Sequence, residues 1–162
     1  MDRRHIDREY DGELDELREN VLLMGARVEE MLTTSLRAFV GRDAELARST
    51  IHRDRSVDEL VLAIDESCIK ILARRQPVAS DLRFITTTLK LVTDLERIGD
   101  LCVNLCERVI ELGAEQQSLG HDSIPRIAEA AHAMLHDALD AFVAGDPAKA
   151  RDVLSRDKFV DA

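Results

Sequence analysis

LRAFVGRDAELARSTIHRDRSVDE, residues 36–59, lies over LDAFVAGDPAKARDVLSRDKFVDA, residues 139–162, when the chain is shifted by 103 positions against itself. Eleven of the 24 aligned positions are identical, among them Phe39/Phe142, Asp43/Asp146, Arg48/Arg151, Arg53/Arg156, Asp54/Asp157, Val57/Val160 and Asp58/Asp161. That density marks an internal repeat. Each copy joins two runs of helical apolar spacing through a short break, so each unit opens as a helix, a turn and a second helix.

Working outward, the interruptions fall at Gly41-Arg42-Asp43, around Pro77, and from Gly113 to Ser123. They predict helices over about 11–40, 44–75 and 77 or 81 to 112. A fourth helix is expected after Ser123-Ile124-Pro125, where serine caps and proline suits the first turn, and a fifth after Asp146-Pro147. Short connections between long helices force neighbours antiparallel, so the first three should form an up-down-up bundle. The expected organisation is an all-α chain with a three-helix repeat over 1–113, a linker over 114–123 and an incomplete second repeat over 124–162. The last two helices carry apolar positions, including Ile127, Ala131, Met134, Leu135, Leu139, Phe142, Val153 and Leu154, that a third helix would partly cover. Without one, they must pack on the first bundle or on another chain, and a homodimer is expected.

Composition agrees with long helices: a third of the residues are charged and only 3% aromatic, leaving strands without their preferred residues. With 22 basic against 32 acidic side chains the net charge is −10, which disfavours nucleic acid and anionic membrane and favours cations and basic protein surfaces. No apolar run is long enough to cross a membrane, and the start of the chain resembles no signal peptide. Three cysteines, Cys68, Cys102 and Cys106, suit the reducing cytoplasm.

On a wheel of the second helix, Asp54, Asp58 and Asp65 fall within roughly 40° of one another, in the stripe expected to face the core. On the third helix Glu96 and Asp100, one turn apart, border the apolar arc beside Val92 and Val103. Antiparallel helices bearing these acids could converge several oxygens on one point, an oxygen-only set suited to Mg²⁺ or Mn²⁺ and tolerant of iron. The competing expectation pairs the acids with Arg48, Arg53, Arg83 or Arg97 and leaves a helical scaffold without metal.

Glu129-x-x-His132 has di-iron spacing and His132-x-x-x-His136 zinc spacing, but the further ligands such centres need are missing, so both histidines are expected on a solvated face. Cys102 and Cys106 line up with Ile98 and Val109 and read as small buried hydrophobes. No phosphate loop, nucleophile elbow or H-E-x-x-H occurs, so no catalytic residue is nominated.

RQPVASDLR at 75–83, followed by DLERIGD at 94–100, closely resembles the PhoU family of phosphate-signalling regulators. The likeness runs from Leu14 to the C-terminus. It implies a cytoplasmic, usually dimeric, non-enzymatic negative regulator of the phosphate-starvation response, acting between a phosphate ABC transporter and a sensor histidine kinase. The family's E(D)-x-x-x-D metal motifs map onto Asp54 and Asp58, Glu96 and Asp100, and Asp157 and Asp161, implying a divalent or trivalent ion such as Mg, Mn, Fe or Zn. A second copy of the ERIGD helix would fall about 103 residues after Glu96, beyond Ala162, by the repeat spacing. A metalloenzyme built on the same four acids is the rival class; no histidine on their face favours the adaptor.

Overall fold

The computed structural model describes residues 3–113 and 123–160, with side chains from 8 to 113 and from 126 to 156. Five helices follow in order: α1 (Arg3–Gly41), α2 (Ala44–Arg75), α3 (Ala79–Leu112), α4 (Ser123–Ala144) and α5 (Pro147–Val160). No strand occurs among the described residues. The expected elements are all present, with α1 beginning at Arg3 rather than near Asp11.

Helices α1, α2 and α3 each pack on the other two. Their buried positions step alternately by three and four residues: Leu14, Leu17, Val21, Met24, Val28 and Met31 on α1, and Ile85, Thr88, Val92, Leu95, Gly99 and Cys102 on α3. This is coiled-coil spacing, which keeps a seam facing its partners over the whole length. On α2 the buried residues are Ala47, Thr50, Val57, Ile64, Cys68 and Ile71. The same steps would pass through positions 54 and 61, so a carboxylate, Asp54, sits in register with the core. Fully burying side chains such as Leu17, Ile64, Ile85 and Leu95 contributes about 1.5–3 kcal/mol each.

The repeat extends to the turns. Asp43 caps α2 by accepting a hydrogen bond from the Leu46 amide at 2.9 Å, and Asp146 caps α5 by accepting from Ala148 and Lys149 at 2.8 and 3.1 Å. The preceding residue is left-handed in both, Arg42 at φ 52 and Gly145 at φ 62. The Asp43 and Asp146 amides close the turns onto Ala38 and Ala141 at 2.9 and 2.8 Å.

Helix α4 lies along α1 and inserts Leu135, Leu139 and Phe142 against the first unit's core. Phe142 stacks on Phe84 of α3 with ring centroids 5.3 Å apart. Among the described residues α5 runs beside α4 alone. The apolar stripe of α4 is thus partly covered within the chain, while Ile127 and Leu154 remain exposed.

Candidate functional site

Asp54 is half-buried, and its environment follows from the seam. A Cβ built on Gly99, the buried α3 residue opposite, would lie 3.4 Å from Asp54 Oδ1 and 4.0 Å from Met31 Cε. The missing side chain at 99 makes room for the carboxylate. Burial first, then the negative charges of Asp58, Asp100 and Glu96, push the Asp54 carboxyl above its ordinary range. The four acids of α2 and α3 therefore lie within electrostatic reach of one another.

Their exposures differ. Glu96 is half-buried at the seam, whereas Asp58 and Asp100 are exposed. Asp58, expected in the middle of the core stripe, lies at its exposed edge: the buried residues Val57, Ile64, Cys68 and Ile71 centre the stripe away from the line through Val61 and Leu72, which are only half-buried. Asp65 is half-buried beside it. Asp157 lies in α5 with its side chain outside the described residues, and Asp161 lies outside them altogether.

Of the four arginines expected to neutralise the acids, Arg48 and Arg53 pair elsewhere, and Arg83 and Arg97 make no ion pair with them among the described residues. Arg53 pairs with Glu30 of α1 and Arg48 with Glu45, at 2.5 Å in the second case. Among the described residues no ion pair or hydrogen bond engages Asp54, Asp58, Glu96 or Asp100, nor do three acid, histidine or cysteine side chains form a ready-made metal ligand set. The donors suit a hard cation by chemistry, being all oxygen, but among the described residues they do not converge on one point as they stand.

Cys68, Cys102 and Cys106 are free and buried, and desolvation raises the first two thiols to about 11, so they pack as hydrophobes rather than react. His136 is exposed but bonds Glu29 of α1 through Nδ1 at 3.0 Å. His132 lines a crevice between α1 and α4. His136 thus keeps the solvated position expected of it, while His132 is half-buried where α4 lies on α1.

Periodicity gave no role to the motif at 75–83. Arg75 donates from Nε to Glu13 Oε2 at 2.8 Å and pairs with Glu9 at 3.1 Å, and Tyr10 donates to Asp81 Oδ2 at 2.9 Å. The arginine hydrogen bond holds Glu13 below the usual carboxylate range, while burial and Asp81 push Tyr10 up to about 12. These contacts clamp the start of α1 over the α2–α3 turn, where Gln76 and Ala79 both take positive φ. Partners some 60 to 70 residues apart leave no local signal.

Fold and site define a class: an acidic three-helix bundle, extended by a repeat, with an unneutralised carboxylate face on its second and third helices. The chain belongs to the PhoU domain family, whose sequence pattern matches residues 21–109 and 124–162. It is 38% identical over 158 residues to the phosphate-specific transport system accessory protein PhoU of Edwardsiella tarda, covering 98% of this chain and 65% of that one. A crystal structure of PhoU from Pseudomonas aeruginosa superposes with a TM-score of 0.89 at 38% identity, covering 94% of this chain and 73% of that one. The phosphate transport system regulatory protein PhoU from Streptococcus pneumoniae gives 0.85 at 30% identity, with 94% and 72% covered. The chain thus spans a little under two thirds of the first of these relatives, and no helix among the described residues is long and apolar enough to cross a membrane.

Proposed function

We propose that this chain is a metal-binding negative regulator of phosphate uptake and of the phosphate-starvation response, working as a non-enzymatic cytoplasmic adaptor between a phosphate ABC transporter's ATPase subunit and a sensor histidine kinase. The relatives' names support the phosphate role. The observation that carries the metal is the face of Asp54, Asp58, Glu96 and Asp100, mutually repelling and without an arginine among the described residues. A divalent ion bound there supplies positive charge between α2 and α3. Asp54 and Glu96 are the half-buried donors nearest the seam, and Asp58 and Asp100 present the outer carboxylates to solvent and to a partner.

The net charge of −10 favours basic partner surfaces, and such contacts weaken as salt screens them. Exposed Ile127 and Leu154 support association of two copies through the open side of α4 and α5. Deleting the gene in a strain with no second copy should leave phosphate-response genes expressed in phosphate-rich medium, with repression restored by the wild-type chain and not by the Glu96→Ala/Asp100→Ala variant. Normal repression in the deletion strain rejects the regulatory reading.

A further inference from the structure

The repeat makes the α1–α4 interface locally two-fold. Leu139 of α4 sits where a Cβ on Gly25 of α1 would lie, 2.6 Å from its Cδ1. His136 meets Glu29 at 3.0 Å. Shifting each residue by 103 positions carries the first pair onto Ala128 and Leu36 and the second onto His132 and Thr33. All four line one crevice of about 670 Å³ between the same antiparallel helices, farther along α1. One half of the interface is shut and its repeat-related half is open. Gly25 admits its leucine against the backbone, and on that side Phe84 of α3 also stacks on Phe142 of α4, whereas no described helix stands in the repeat-related place beside Phe39.

The two halves also differ in charge. In the shut half His136 lies between Glu29 and Asp140, at 3.0 and 3.8 Å. In the open half the counterparts of those acids are His132 and Arg37, and Arg37 makes no ion pair among the described residues. Leu36 and Val40 give an apolar wall, and Glu129 on the opposite helix places one carboxylate in the lining, from which the ligand's anionic group must be turned toward Arg37. The volume is that of a small-molecule site.

We propose that this crevice binds a small organic anion with an apolar body, its charged group held by Arg37 and His132 and its body laid against Leu36 and Val40. This crevice is separate from the acidic face on α2 and α3. A ligand here spans the two repeat units and would fix α4 on α1.

Titration of the full chain with 1-anilinonaphthalene-8-sulfonate, an aromatic anion of this kind, tests it by fluorescence. One saturable site per chain is expected. Arg37→Ala should weaken it about tenfold, the loss of one charge-assisted hydrogen bond. Ala128→Leu, which fills the crevice, should abolish it, and Leu154→Ser on α5 should leave it unchanged. N-phenyl-1-naphthylamine, the same body without the sulfonate, should be indifferent to Arg37→Ala. Circular dichroism verifies that the variants stay helical. Absence of saturable binding, binding unmoved by both Arg37→Ala and Ala128→Leu, or binding lost on Leu154→Ser would overturn the proposal.

Discussion

The two repeat units share their turns and much of their sequence, yet they are held differently. In the first, α1, α2 and α3 surround one seam, and α2 buries six of the eight steps of its inner face, all but Asp54 and Val61. In the second, α4 borrows its core from the first unit, and α5 leans on α4 through charged side chains. Lys149 pairs with Asp137 and Asp140 at 3.0 and 2.9 Å, and Arg156 with Asp137 at 2.6 Å, while Leu154, counterpart of the half-buried Ile51, is 69% exposed. Equal caps and equal heptads do not make equal cores. A helix gains burial only from neighbours that close its face.

The sharpest test of that contrast lies in core truncations. Ile64→Ala on α2, a fully buried site, should cost about 2–5 kcal/mol in urea unfolding, whereas Leu154→Ala on α5 should stay within about 0.5 kcal/mol. Comparable losses would mean that α5 is packed as α2 is.

A smaller effect is expected where the units join. Gly25→Ala places a methyl against the end of the Leu139 side chain, which must shift; the overpacking slightly outweighs the gain in helix propensity, for a net loss of up to about 1 kcal/mol. Hydrogen exchange should then rise across α4 and α5 and stay unchanged in α2. Uniform exchange through all five helices would show that the units unfold as one.

The smallest effect concerns Asp54, and its sign follows from linkage. A carboxyl raised above its ordinary 3.8 binds more protons folded than unfolded, so stability falls as pH rises from the ordinary range through the raised value and stays lower above it. Asp54→Asn should therefore raise the Tm at neutral pH, with the advantage fading in acid. Glu13, held down by Arg75, works the other way: its contribution is present above the ordinary carboxylate range and lost as pH falls through its lowered value. An Asp54→Asn variant less stable than wild type at neutral pH would show that the carboxylate has a compensating partner.

Much of this was legible in the residues. Pro77, Asp43, Asp146 and the 103-residue repeat placed the helices and their caps, because punctuation and capping are local chemistry. The wheel located Asp54 near the core. It missed Gly99, whose absent side chain houses that carboxylate, and Gly25, which admits Leu139, because a close approach depends on the neighbour across the gap and not on the residue's own helix. Exposure of Asp58 was missed because the stripe was centred on Val61 and Leu72, which are only half-buried, rather than on Val57, Ile64 and Cys68. The Arg75 clamp was invisible for the same reason as Gly25, its partners being set by how α1 meets the α2–α3 turn.

A divalent cation on the carboxylate face of the first unit is what we propose for this chain. Calorimetric titration of Mn²⁺ into protein dialysed against chelator measures it directly. A saturable heat is expected for the wild type, weakened in Asp54→Asn and abolished in Glu96→Ala/Asp100→Ala, with both variants still helical. No heat in the wild type, or an undiminished isotherm in the double variant, would contradict the account.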